Sequence, residues 1–297
     1  VLRLSLALGL AGICLPAGAQ SAPDISSVPA DLAIPAIEDA APAAGRRVLY
    51  RLPGDPETVP AMVLYLPTDW SPEKSHPVIC EYAGNGNYRN AFGDTSTGRP
   101  EDSRLGYGLS AGRGYIWVCL PFLNDAGDGL AITWWGDPPA HRPDATVAHA
   151  KRATPAICAA FSGDPDRVIL CGFSRGAIAC NTIGLHDAGI AGLWSAFFCY
   201  SHYDGVRDQW PFAGADRASA RTRLGRLGNR PQFICQEGTP SAGVGLDATR
   251  AYLKDSGIAG DFTFAVTGFR NHNDAWLLRP SPARDAAREW LSRVSKP

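Results

Sequence analysis

The chain carries almost no net charge: 28 Lys and Arg stand against 29 Asp and Glu in 297 residues, a formal balance of −1. That leaves no electrostatic footprint for nucleic acid or for an anionic membrane surface. No CxxC pair occurs among the cysteines, so a zinc or thioredoxin-like site lacks its ligand spacing. No internal repeat is present. The one markedly apolar stretch ends at Leu15, too short and too lightly flanked for stable membrane insertion. Neither a metal nor an organic cofactor is expected.

What is present fits a globular enzyme: 45% hydrophobic and 19% charged residues. The length suits one α/β domain with a large core. Residues 1–19, VLRLSLALGLAGICLPAGA, have an early Arg3, an apolar stretch, and Ala17-Gly18-Ala19 before Gln20. This is a secretory signal pattern, which predicts a secreted or periplasmic protein. Cys14 raises a lipoprotein reading, but bulky Ile13 stands where a small residue is wanted. Residues 20–45, with Pro23, Pro29, Pro35 and Pro42 among Ala, Ser and Asp, read as a flexible or extended leader. The folded domain is expected over 46–297.

Beyond Cys14 the cysteines are Cys80, Cys119, Cys158, Cys171, Cys180, Cys199 and Cys235. An odd number cannot all pair. They read mainly as small buried hydrophobes, with one disulfide open to them after secretion.

Apolar runs alternate with helical patterns, the signature of a mostly parallel sheet flanked by helices. Eight strands are expected: Arg47–Leu52, Ala61–Leu66, Pro77–Ala83, Tyr115–Leu120, Arg167–Cys171, Leu193–Tyr200, Gln232–Gln236 and Phe262–Thr267. Helices are expected over Ala145–Phe161, broken or kinked at Pro155, and over Arg175–Leu185. A third runs over Ala248–Asp255, capped by Asp247 and followed by Gly257. The last starts at Ser281-Pro282 and buries Ala287, Trp290, Leu291 and Val294. Gly84–Gly114 and Asn124–Arg142 read as long loops at the carboxyl edge of the sheet, where open α/β folds bind ligands.

Within that frame stands Gly172-Phe173-Ser174-Arg175-Gly176. It follows a buried strand and precedes a helix. Strand, G-x-S-x-G and helix in that order form a nucleophile elbow. The turn is so sharp that bulky Cβ groups are excluded on both sides of the serine. The helix behind it directs its N-terminus at the site, which favours developing negative charge. Ser174 is thus the candidate nucleophile.

Of the six histidines, His76, His141, His149 and His186 fall at the wrong edge or on the helices around the elbow strand. His202 and His272 follow strands at the correct edge. His272, in Gly-Phe-Arg-Asn-His-Asn-Asp after the last strand, fits the chain order Ser, acid, His and is the candidate base. Two carboxylates compete as the acid. Glu237 closes the seventh strand, and Asp204 lies in Ser201-His202-Tyr203-Asp204-Gly205 after the sixth. Asp204 is slightly preferred, for its short side chain and the turn glycine behind it. Oxyanion donors are expected from the backbone of Arg175 and from the loop carrying Asn85 and Gly86.

On these residues the chain resembles the α/β-hydrolase superfamily from about Arg46 onward. It also resembles secreted bacterial serine hydrolases that carry Ser-His-Tyr-Asp-Gly and Asn-His-Asn-Asp-Ala-Trp. There is local similarity to glucuronoyl esterases, which place arginine straight after the serine. Some of those carry their acid after the sixth strand, which would match Asp204. This sequence has Ala177 where they have lysine. The resemblance implies an α/β-hydrolase fold and a Ser-His-acid hydrolase, and names no substrate.

Trp134, Trp135 and Tyr88 are candidate pocket residues, with Trp210 and Trp276 beside them. Exposed aromatics stack on sugar or aryl faces. The function expected is hydrolysis of a carboxylic ester, on a small molecule or on a carbohydrate or plant polymer. A hydrolase-fold binding protein without catalysis, or a serine peptidase, stands as the alternative.

Overall fold

The computed structural model describes residues 22–238 and 245–296. The expected signal segment 1–19 and Cys14 lie outside the described residues. The strands are β1 (Ile37–Glu38), β2 (Arg47–Tyr50), β3 (Met62–Tyr65), β4 (His76–Tyr82), β5 (Tyr88–Arg89), β6 (Thr95–Ser96), β7 (Ile116–Leu120), β8 (Gly163–Phe173), β9 (Ala196–Tyr200), β10 (Gln232–Gln236) and β11 (Phe262–Val266). The helices are α1 (Leu105–Ser110), α2 (Asp144–Phe161), α3 (Arg175–Thr182), α4 (Ala188–Ala191), α5 (Arg217–Leu224), α6 (Leu246–Ser256) and α7 (Pro282–Val294).

One nine-stranded sheet organises the chain, in the order β1-β2-β3-β7-β4-β8-β9-β10-β11. β3 runs antiparallel to both its neighbours, β2 and β7. From β7 across to β11 every pairing is parallel. All eight expected strands are in this sheet, and two-residue β1 adds a ninth at its edge.

The central strands are buried on both faces, as parallel strands covered by helices must be. Period-2 alternation then divides their side chains between two cores. Val118, Leu120, Val168, Leu170, Phe197 and Cys199 join α2 and α3 on one face. Trp117, Cys119, Ile169, Cys171, Phe198 and Tyr200 meet α1 and α7 on the other. The seven cysteines Cys80 to Cys235 are free and buried, shared between these cores, and none forms a disulfide among the described residues.

Several local expectations change. Pro155 sits inside α2 without ending it. Asp247 does not cap α6: Gly245 holds that position, and the Asp247 carboxylate is fully exposed beside Arg250. The first long loop is partly regular, with the β5–β6 hairpin and α1 inside it. The start of α1 is held by Glu81, wholly buried in β4, which accepts from Leu105 N at 3.0 Å, Gly106 N at 2.8 Å and Trp117 Nε1 at 2.8 Å. Burial pushes that carboxyl up to about 7, and nearby Asp274 adds to the rise.

The stretch expected to be a free leader lies on the domain. Ile25 is buried in the second core. Asp24 pairs with Arg270 at 2.9 Å, and Asp31 with Arg284. Residues 37–38 pair with β2. Polar anchors and one buried isoleucine fix a segment whose composition has little to bury. Ile25→Ala is therefore expected to lower unfolding free energy by about 2 kcal/mol, the low end for a large-to-small core change. Urea denaturation of the two proteins checks this, and equal midpoints would mean that the segment does not pack.

Candidate active site

Four adjacent parallel strands each deliver one polar residue at their carboxyl ends. Ser174 follows β8, Ser201 follows β9, Glu237 follows β10, and His272 lies in the loop after β11. Parallel pairing puts all four ends at the same edge, so residues far apart in sequence converge there.

The elbow is as tight as its glycines imply. Ser174 has φ 54° and ψ −111°, a region that L-residues avoid. Its N–H donates to Tyr200 O at 2.8 Å, which pins the strained turn to β9. A Cβ on Gly172 would stand 2.2 Å from the Gly176 backbone, and one on Gly176 would stand 2.0 Å from Tyr82 O. Neither position admits alanine without backbone movement.

Ser174 Oγ lies 3.0 Å from His272 Nε2. His272 Nδ1 lies 3.0 Å from Glu237 Oε1 and 2.7 Å from Ser201 Oγ. Ser201 Oγ donates to the same Glu237 oxygen at 3.2 Å. Burial works to raise the Glu237 carboxyl, but the hydrogen bond and charge interaction with His272 more than offset it, leaving it below the usual range.

The histidine loop is clamped from outside the sheet. Asp94, buried in the turn of the β5–β6 hairpin, accepts from His272 N at 3.0 Å. It also accepts from the side-chain amides of Asn271, Asn273 and Asn90. The rings of Phe173 and Tyr88 sit 4.7 and 5.0 Å from the His272 ring. His202, 5.4 Å away on the third side, is pushed down to about 4 by burial and by the charge of its neighbour.

Asp204 does not reach the imidazole. Its carboxylate is buried in a two-pronged ion pair with Arg223, at 2.9 and 3.0 Å. Four residues beyond β9, at Asp204, the chain has already turned toward α5, and Glu237 stands in the position expected of the acid. Gly86 N–H is engaged by Ile132 O at 2.6 Å and is not free for an oxyanion. Asn85 uses its side-chain oxygen to hold Trp134 N at 2.7 Å. The Arg175 side chain turns inward, over the Phe122 ring at 4.0 Å, and donates to the carbonyls of Trp134, Ala131 and Gly98. As the first residue of α3, Arg175 has no intrahelical acceptor for its backbone N–H.

The expected aromatic wall is mostly core. Trp135 and Trp276 are 0% exposed and Trp134 8%. Trp134 packs on Trp135, Trp210 and Phe212 beneath the second loop. Tyr88 alone of the candidate pocket residues keeps a place against the imidazole. Asp94 and Ser201 were not foreseen. Ser201 opens the Ser-His-Tyr-Asp-Gly motif, whereas Asp94 carries no motif.

No family model matches this chain, and no curated protein matches it in sequence. Solved structures do resemble it in shape. A thermostable esterase superposes with TM-score 0.51 at 14% identity over 83% of this chain and 62% of that one. A putative dipeptidyl aminopeptidase IV from Bacteroides ovatus gives 0.53 at 13% identity over 79% of this chain and 33% of that one. An S-formylglutathione hydrolase from Agrobacterium tumefaciens gives 0.53 at 14% identity over 81% and 93%. The chain thus spans less than two thirds of the first two proteins. These likenesses show that it has the α/β-hydrolase fold.

The ion pair gives Asp204 a measurable structural role. Asp204→Asn leaves the Arg223 cation buried without its partner and is expected to cost about 3 kcal/mol of stability. Chemical denaturation measures it. A variant as stable as the parent would remove the structural role assigned to this pair.

Proposed function

We propose that the protein is a serine hydrolase that cleaves a carboxylic ester through an acyl-enzyme on Ser174. The observation that carries this reading is the continuous path from Ser174 Oγ through both nitrogens of His272 to Glu237, each step 3.0 Å, at a strained elbow. Strain of that kind persists only where the surroundings enforce it, and it clusters at reacting groups. That favours catalysis over a binding protein in which the serine is merely structural.

The chemistry follows from the geometry. His272 Nε2 accepts the Ser174 hydroxyl proton as Oγ attacks the ester carbonyl. Nδ1–H faces Glu237, whose carboxylate fixes that tautomer and stabilises the imidazolium. The carbonyl oxygen becomes an oxyanion. Its donors are the backbone N–H of Arg175 and, from the loop after β4, that of Asn85. Imidazolium then protonates the leaving alkoxide. Water, deprotonated by the same nitrogen, attacks the acyl-enzyme and releases the acid and free serine.

The substrate is proposed to be a small ester. Burial of the tryptophans leaves less aromatic surface for a polymer chain than the sequence suggests, so a carbohydrate-linked ester is the narrower form of this reading. Among the described residues no helix is long and apolar enough to cross a membrane. The residue 1–19 pattern supports secretion or a periplasmic location.

Ser174→Ala is expected to abolish both hydrolysis of p-nitrophenyl acetate and labelling by a fluorophosphonate. His272→Ala should lower kcat about 10³-fold or more, and Glu237→Gln about 10⁴-fold. Asp204→Asn, once corrected for folded fraction, should retain kcat. Labelling at another residue, or an Asp204 variant as inactive as the Glu237 variant, would sink the assignment. Glu237 also gives a pH signature. Its folded carboxyl is held low, so its contribution to stability is complete above about pH 4.5 and is lost as pH falls through the folded value. Glu237→Gln should remove that part of the acid dependence of the melting temperature.

A further inference from the structure

Ser201 is set in an unusual way for a serine. It is 0% exposed and its φ is 87°, the left-handed region that glycine occupies at less cost. Its N–H donates to Cys235 O at 2.8 Å, so the backbone is fixed by continuation of the β9–β10 ladder. That conformation aims Oγ at the meeting point of two other strand ends. There it lies 2.7 Å from His272 Nδ1, nearer than the 3.0 Å of Glu237 Oε1.

The Glu237 carboxylate is short of partners. Its Oε1 receives the Ser201 hydroxyl and faces His272, while Oε2 is buried with no hydrogen bond among the described residues. A buried carboxylate relies heavily on each donor it has. His272 does most to keep Glu237 ionised, and the Ser201 hydroxyl adds a further donor to the same oxygen.

We propose that Ser201 is a positioning residue of this site, whose hydroxyl donates to Glu237 and accepts from His272 Nδ1–H, holding the pair as carboxylate and neutral imidazole. The proposal rests on the triad reading above. No bond is made or broken at Ser201. The hydroxyl proton stays directed at Glu237, so Nδ1–H must remain on the imidazole and Nε2 stays open for the Ser174 proton. Gln236 Nε2, 3.5 Å from Ser201 Oγ, supports the same orientation from β10.

The direction of the effect on proton uptake follows. Without the hydroxyl, the carboxylate loses a donor and its charge is less neutralised. Either it takes up a proton at higher pH or it holds the imidazolium more strongly. In both cases the pair binds a proton more readily. The other titratable groups facing it are His202, Tyr88, Asp94, Tyr200 and Cys235. Burial raises the Tyr88, Tyr200 and Cys235 groups, which stay neutral throughout the acid range, and lowers His202 to about 4, so that it stays neutral until the pH falls to that value. Asp94 faces the His272 backbone N–H and is unchanged in the variants.

Ser201→Ala and Ser201→Gly in the full chain test this. Both delete the hydroxyl, and only glycine relaxes the positive φ. The labelling rate of Ser174 by a fluorophosphonate is followed against pH, and the His272 imidazole is titrated by NMR. In both variants the plateau rate should fall about tenfold, the loss of one charge-assisted hydrogen bond. The acid limb and the imidazole titration should move to higher pH by about 0.5 or more. Ser201→Gly should also melt no lower than the parent, which separates lost activity from lost structure. An acid limb and imidazole titration unmoved in both variants would overturn the proposal, whatever their melting temperatures. Wild-type protein that takes no label would overturn the hydrolase reading instead, and the imidazole titration would still decide the role of Ser201.

Discussion

At the centre of the molecule, backbone meets backbone with no side chain between. Gly176 lies so close to the Tyr82 carbonyl that a Cβ there would stand 2.0 Å away, and Gly172 is equally tight against Gly176. This contact lets α3 start directly behind β8 and forces Ser174 into its strained turn. β8 lies between β4 and β9 in the middle of the sheet, so the strain is absorbed by strands buried on both faces. The conformation of Ser174 is thus set by close packing rather than by anything the serine side chain does.

His272 is held by different means. Its loop has no strand or helix to stiffen it, and the β5–β6 hairpin does that work through one carboxylate. Asp94 gathers one backbone N–H and three side-chain amides from Asn90, Asn271, His272 and Asn273. A buried carboxylate with that many donors is well satisfied. Glu237 is the opposite case, with few partners and one oxygen that has none among the described residues. The two carboxylates divide the labour. The well-bonded one is rigid and fixes the backbone. The sparsely bonded one faces the imidazole.

Much of this was legible in the sequence because it rests on local patterns. Alternating apolar runs located all eight long strands, and glycine spacing located Ser174. Chain order located His272. The acid was not legible, since both Asp204 and Glu237 follow strands at the right edge. Their difference lies in what else is nearby: Arg223, nineteen residues further on, captures Asp204. Such a partner leaves no mark at the motif itself. The position after the sixth expected strand does reach the imidazole, through Ser201 rather than Asp204. The tryptophans misled for a related reason. Composition shows that a long loop holds aromatics, but not whether they face solvent or fill the space beneath. Here Trp134 and Trp135 turn inward and pack with Phe212 as part of the first core.

Arg175 ties the elbow to the loops around it. It is a wholly buried cation with no carboxylate bonded to it among the described residues. Its charge is met instead by the carbonyls of Gly98, Ala131 and Trp134 and by the face of Phe122. Those carbonyls belong to the two long loops that follow β4 and β7. A planar guanidinium can bond several carbonyls at once while stacking on a ring, which an ammonium cannot do. One residue therefore joins both loops to the elbow, and its backbone N–H directly follows Ser174. Any rearrangement of either loop would pull on the same residue that supplies the expected oxyanion donor. The two loops and the backbone amide after Ser174 are mechanically one unit.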